Sequence, residues 1–420
     1  MKTLFTALMI IAFPFFLKAQ ETLKKADALV SPKMAEQAIT VGGPNAQVQG
    51  FNNQSIQFAI DAVAKTGGTV QLNQGVYEIK APVRLKSNVK LIGSGKGTVL
   101  KRGKGVQMPY IVDADFGELK LTVENAKGFE IGMKVQVTDR ENNNCWSVST
   151  AYITDIVDNT IYIDKGLIRD YRWDIDGLIS NASSVIEILD AENVLVSNLT
   201  TDGNRSENFL ADGCNSAGVL ILRSKKITVD NVHVKDFNGE GISWQITENV
   251  TIKNSEISGS GNTGLHPGSG SPFSVIENNH IHHNDQDGLY VCWRVYDSRI
   301  TNNKIHDNGR FGICTGHKDT DAIFSGNHIY NNKSDGIHLR AERDSNAPHR
   351  NTFVNNIIEN NVRYGFSVNS NPKDLVLKDN VFKNSAKSQK AAIYIYKRGA
   401  KPKLENNQFD KHELGEMVLE

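Results

Sequence analysis

The sequence predicts an all-β fold, a parallel β-helix, and three observations carry that prediction. First, a short apolar phrase opening on glycine recurs as Gly218-Val-Leu-Ile, Gly241-Ile-Ser-Trp, Gly264-Leu-His-Pro, Gly288-Leu-Tyr-Val, Gly312-Ile-Cys-Thr, Gly336-Ile-His-Leu and Gly365-Phe-Ser-Val, and Ala392-Ile-Tyr-Ile closes the series. The steps between phrases are 23, 23, 24, 24, 24, 29 and 27 residues. Second, a column of asparagines (Asn198, Asn231, Asn254, Asn279, Asn303, Asn327, Asn356, Asn380 and Asn407) keeps the same beat. Third, each unit holds several alternating runs of three to five residues. Helix-pair repeats need about 33 residues or more, so units this short read as single coils of a β solenoid. No coil can bury its apolar face alone; coils stack about 4.8 Å apart and share one core. Asparagine suits the column, because it tolerates a left-handed bend and its amide can bond to the coils above and below.

Taken in order, residues 1–20 have Lys2, an apolar run from Leu4 to Leu17 and then Lys18-Ala19, the pattern of a secretory signal peptide. Export to the periplasm or the extracellular space is the expectation. Residues 21–109 hold an irregular lead-in to about residue 50, a helix over Ser55–Lys65 and the first coils. An open solenoid end would expose apolar core and unpaired strand edges, and the helix is expected to cap it. The period breaks over 110–175, where Gly117-Glu-Leu-Lys-Leu-Thr-Val, Gly132-Met-Lys-Val-Gln-Val and Ile161-Tyr-Ile-Asp predict a small antiparallel β insertion. Residues 176–420 form the main β-helix. Two excess segments, around Asp202–Asn208 and Arg343–Arg350, are expected to wall a groove on the glycine-strand face.

Lys+Arg and Asp+Glu both number 47, which gives no support for bulk binding to nucleic acid. No segment after the leader is long enough to span a bilayer. A monomer is expected. Four cysteines allow two disulfides in an exported chain, yet Cys292 and Cys314 lie one coil apart and two residues out of register, about 8 Å between Cα atoms, and are expected to stay unbridged.

Within each glycine strand the first and third residues after glycine are mostly apolar and point inward, so the second and fourth face out. That places Gln245, His266, Tyr290, Cys292, Cys314, His338 and Arg340 on one face, with His266 and Tyr290 about 5 Å apart and Tyr290 and His338 about 10 Å apart. Just past the strands come Trp293-Arg294, His317-Lys318-Asp319 and Glu342-Arg343, with His349 and Arg350 on the second loop. Nothing comparable is expected on the other two faces. Asp287 and Asp335 precede their glycines two coils apart, about 9.6 Å, near the upper limit for a pair of hydrolytic carboxylates. A zinc site from His266, His317 and His338 lacks local ligand spacing, and no metal site is expected.

Residues 51–410 resemble the pectin-lyase-like superfamily of right-handed parallel β-helices. An amphipathic helix before the first strands, over 51–100, carries the likeness. So do His266-Pro-Gly-Ser-Gly-Ser, Gly316-His-Lys-Asp-Thr-Asp and Ala347-Pro-His-Arg-Asn, which are similar to phrases in secreted β-helix proteins. His266-Pro267 is also similar to the Asp-Pro-His of mannuronan epimerases, with the order reversed and the acid missing. The Asp-rich and Gly-His-Gly motifs of polygalacturonases are absent, and the paired calcium-binding aspartates of pectate lyases are not identifiable.

The resemblance implies a polysaccharide or oligosaccharide partner and leaves three readings. A lyase or epimerase of a uronate polymer needs a cation beside the carboxylate (Arg340, Lys318 or Arg294), a base for the C5 proton (His266 or His317) and an acid (Tyr290). A glycoside hydrolase would use carboxylates among Asp285, Asp287, Asp335, Asp319 and Glu342. A non-catalytic glycan-binding surface protein is the third. The catalytic set is thus His266, Tyr290, Asp287, His317, Lys318 and Arg340, with Gln245, Trp293, Arg294, Asp319, His338, Glu342, His349 and Arg350 for substrate binding. No cofactor is firmly implied; Ca2+ is the one ion kept open.

Overall fold

Period-2 alternation makes each glycine phrase a strand with one buried row, and eleven such strands stack in parallel from Val83–Leu85 to Met417–Leu419. Their inward residues lie in register, Ile242 on Leu265, Leu265 on Leu289, Leu289 on Ile313 and Ile313 on Ile337, all buried. Two further ladders complete each coil. One stacks Ile257, Ile281, Ile305, Ile329 and Ile358; the other stacks Ile252, Ile276, Ile300, Phe324 and Phe353. The glycine repeat has a steric cause: a Cβ on Gly288 would fall 2.5 Å from Ile305 Cγ2 and 2.8 Å from the Gly312 carbonyl oxygen.

The structure, a computed structural model, describes residues 37–144 and 147–420. The expected leader at 1–20, the start of the lead-in and Cys145 lie outside these residues. The lead-in is not wholly irregular: Gln37–Gly42 and Val48–Gln49 pair in parallel. The helix runs Asn53–Val63, two residues earlier than its spacing suggested, because Asn52 caps it by accepting from the Ser55 N–H at 2.9 Å. It buries Ile56, Ala59, Ile60 and Val63 against the first coils. Among the described residues no helix is long and apolar enough to cross a membrane.

The asparagine column divides into two. Asn198, Asn231 and Asn254 hold the left-handed bend, at φ 55°, 54° and 51°. From Asn279 onward the recurring asparagine is the next residue, and the bend passes to Asn278, Asn302, Asn355 and Asn406. Asn279, Asn303, Asn327, Asn356, Asn380 and Asn407 then form a ladder whose amides donate from coil to coil at 2.9–3.0 Å. One residue cannot serve both tasks, because the bend turns its side chain outward while the ladder needs a buried amide. A second ladder, Asn284, Asn308, Asn332 and Asn361, runs at the next corner. Replacing Asn327 by Ala strands the backbone N–H of Asn303, which donates to Asn327 Oδ1 at 3.0 Å. The expected cost is about 1–3 kcal/mol for each buried donor left unpaired, read as a lowered urea midpoint.

The insertion is a six-stranded antiparallel sheet whose strands lie between Gln107 and Asn181, with its own core of Val135, Val137, Ile153, Ile161 and Ile179. The coils on either side stack directly, Leu91 against Val196 and Leu100 against Thr201. The inserted sheet is pinned by a buried knot. Glu187, fully buried, meets Lys134 Nζ at 3.0 Å and the Tyr152 hydroxyl at 2.5 Å, and Lys134 also donates to the Asn215 carbonyl oxygen. Coil, insertion and the 202–216 loop therefore meet at one lysine.

Candidate active site

The outward column of the glycine sheet reads Ser243, His266, Tyr290, Cys314, His338 and Ser367. His266 and Tyr290 sit on adjacent rungs with ring centroids 5.2 Å apart, as the rung spacing requires. The column is no open ridge. Insertion and loop close over it and leave a cleft of about 320 Å³, lined by Gln136, Asn143 and Asn144, by Leu210–Cys214, and by Glu240, Asn262, Thr263, His266, Tyr290 and Arg310.

Glu240 is the residue the sequence reading missed. Both its carboxylate oxygens lie against His266 Nδ1, at 2.8 and 2.7 Å, and both side chains are buried. Burial opposes a charged ring, but the Glu240 carboxylate, with Cys292 alongside, outweighs it and holds His266 up at about 10. At neutral pH His266 is an imidazolium, not the free base assigned to it from sequence. A histidine raised from its ordinary 6.5 contributes stability that is complete below about pH 6.5 and is lost as pH climbs through about 10. Urea unfolding between pH 6 and pH 10 is expected to show that decline, and His266→Phe to flatten it.

Arg310 is the second missed residue. It lines the cleft, and its guanidinium is held bidentate by Asp287 at 2.8 and 2.6 Å, with the Phe311 N–H adding a third donor at 3.1 Å. Asp287 is fully buried and both its oxygens are engaged, so it positions a cation and is not the free catalytic carboxylate expected. Asp335 repeats the arrangement with Arg363, at 2.7 and 2.8 Å, and the Ser367 hydroxyl. The two aspartates therefore do not form a hydrolytic pair.

Arg340 also departs from expectation. Its strand ends at Leu339, and beyond that point the side chain folds back to donate to the Val291 carbonyl oxygen at 2.8 Å, approach Asp319 at 3.3 Å and lie 4.7 Å over the Tyr290 ring. Asp319 is buried on the N–H groups of Gly316 and Val295. Gln245 is buried and donates to the Ser243 hydroxyl, while His338 bonds Ser367 and stacks on Phe311 at 4.3 Å. Arg340 and Asp319 are thus engaged within the protein. Of the residues past the strands, Trp293, Arg294 and Lys318 are exposed, and Trp293 stacks on His317 at 4.7 Å. His317 in turn meets Glu342 at 3.2 Å. Arg350 is engaged bidentate by Asp321, and His349 Nδ1 accepts from the Lys373 N–H. His266, His317 and His338 each pair with a different carboxylate, Glu240, Glu342 and Asp335, so they form no common metal set. Cys292 and Cys314 are free thiols.

The expectation that the other faces are featureless fails. A cluster of histidines with Glu256 occupies the outward side of the ladder that carries Ile257, Ile281 and Ile305.

Stacked parallel rungs, a helix on the first coils and one sheet face built up into a cleft define a parallel β-helix. A model described as the right handed beta helix region matches residues 184–353 and 276–409, together more than half of the chain. The chain belongs to this family. Among solved structures it is similar to the A-module of mannuronan C-5 epimerase AlgE4 from Azotobacter vinelandii, at TM-score 0.57 and 21% identity over 88% of this chain and 93% of that one. It is also similar to an exopolygalacturonase from Thermotoga maritima, at TM-score 0.53 and 14% identity over 93% and 92%. No curated protein sequence matches significantly.

Proposed function

We propose that this chain is a carbohydrate-active enzyme that acts on a uronate-containing polysaccharide by removing the proton beside the carboxylate. The observation that carries the reading is the meeting of a guanidinium, a charged imidazole and a phenol in one cleft: Arg310, His266 and Tyr290. Abstraction at C5 needs the carboxylate neutralised so that the developing enolate is stabilised, and preorganised cations in a partly dehydrated site do this best. Arg310, fixed by Asp287, and His266, fixed by Glu240, are those cations. Burial raises the Tyr290 phenol well above its ordinary range, with Arg340 only partly opposing, so Tyr290 carries a proton to donate. Asp212, on the loop wall of the same cleft with Asn215 bonded to one oxygen at 2.7 Å, is the carboxylate that accepts the C5 proton. Donation by Tyr290 to the leaving oxygen gives a lyase; donation back to C5 from the other face gives an epimerase. The fold is one that a mannuronan C-5 epimerase and an exopolygalacturonase also use, and the reading rests on the cleft.

A second reading, a glycoside hydrolase, is favoured by the presence of two carboxylates, Asp212 and Glu240, on the same cleft. Incubation with alginate, pectate, glycosaminoglycan and neutral glycans separates the two. Ultraviolet absorbance of an unsaturated uronate, or an altered uronate configuration by proton NMR without cleavage, supports the first; new reducing ends without absorbance support the second. No change in any uronate polymer rules out the first.

A further inference from the structure

We infer that the face carrying Glu256, His280, His282 and His306 is a binding site for a divalent transition-metal ion of the zinc class. It is independent of the cleft.

The sequence places these residues by simple alternation. Strands Glu256–Ser258, His280–His282 and Lys304–His306 are consecutive rungs, with Ile257, Ile281 and Ile305 turned inward. Their outward residues form two adjacent columns, Glu256 on His280 and His282 on His306. Two histidines at i and i+2 of one strand share a face, and the rungs above and below bring further donors to the same spot.

One ligand atom each from Glu256, His280 and His282 lies within 4.8 Å of the others. His306 Nε2 is 2.6 Å from His280 Nε2, a separation at which two ring nitrogens share a single proton. His282 Nε2 is buried with no hydrogen bond, although Glu256 Oε1 is 3.4 Å away. That is an orphaned nitrogen aimed at a carboxylate.

The outer contacts orient the rings as metal-binding histidines are oriented, with one nitrogen tied back so that the other points at the ion. His306 Nδ1 is held by Asp307 at 2.6 Å, and His282 Nδ1 by His283 Nδ1 at 2.8 Å. Glu256 gives one oxygen to Lys96 Nζ at 2.9 Å, which leaves Oε1 for the site. Two imidazole nitrogens and one carboxylate oxygen within reach of one another, with His306 Nε2 beside His280, suit zinc, whereas calcium wants six or more oxygens.

The test uses the untagged chain, stripped with chelator and titrated with Zn2+ by calorimetry near neutral pH, with Co2+ as a spectroscopic probe. One equivalent per chain and the visible bands of low-coordinate Co2+ are expected. Asp307→Asn is expected to weaken affinity about 10- to 100-fold, and His282→Ala or His280→Ala to abolish the stoichiometric phase, each with an unchanged far-ultraviolet spectrum. His317→Ala and Cys214→Ser are expected to bind normally. Absence of Zn2+ uptake and of Co2+ bands in the unaltered protein, or uptake that survives His280→Ala and His282→Ala, overturns the inference. The measurement on the unaltered protein decides the matter even where a variant fails to fold.

Discussion

Glu240→Gln is expected to lower turnover on the uronate substrate by about 10²- to 10³-fold, the usual range for loss of one preorganised charge-stabilising group. The substitution keeps size and removes charge. Burial then acts on His266 unopposed by the carboxylate and pushes the ring toward its neutral form. The cleft loses a cation that the developing enolate needs, and the high-pH limb of the activity profile is expected to move down. A purely structural Glu240 would leave that limb in place. The measurements are kcat across pH and the circular dichroism of the variant; turnover within about tenfold of the parent with an unmoved profile would sink the assignment. Gly213 makes the same pair easy to spoil by another route, because any side chain there would collide with the Glu240 carboxylate.

The second large effect is on stability. Glu187→Ala is expected to destabilise the chain by about 3–5 kcal/mol, because it leaves a buried lysine without its partner. Denaturant unfolding measures the loss. The consequence reaches the cleft, since Lys134 ties Glu187 to the Asn215 carbonyl oxygen, and the insertion supplies Gln136, Asn143 and Asn144 to the cleft wall. Activity is therefore expected to fall more steeply with denaturant in this variant than global unfolding alone accounts for.

How much of this was legible follows from how local each determinant is. Coil period, inward rows and the spacing of His266 and Tyr290 depend only on strand alternation and rung rise, and the sequence carries both. Arg340 misled because alternation governs side chains inside a strand, and its strand stops one residue earlier. Glu240 was hidden because only the aspartates before glycine, Asp287 and Asp335, entered the reading, and as a pair of carboxylates. Setting the residue before each glycine in register gives Glu240, Thr263, Asp287, Phe311, Asp335 and Tyr364, a row in which acids recur on alternate coils. Arg310 and Arg363, each two residues before the next glycine, are the answering charges and were readable from the same register. The cleft roof was not readable, since the hold of the insertion on Glu187 joins positions 53 residues apart.

The asparagine ladders carry a consequence for how such a chain changes length over generations. Every amide in them meets its counterpart one turn away and a backbone carbonyl of the neighbouring coil, so duplicating or deleting a whole 24-residue segment between Asn279 and Asn327 leaves all surviving amides matched. Copy number is thus free to drift in steps of about 4.8 Å, while any insertion that is not a full segment must be ejected as a loop, which is how a uniform stack acquires local chemistry.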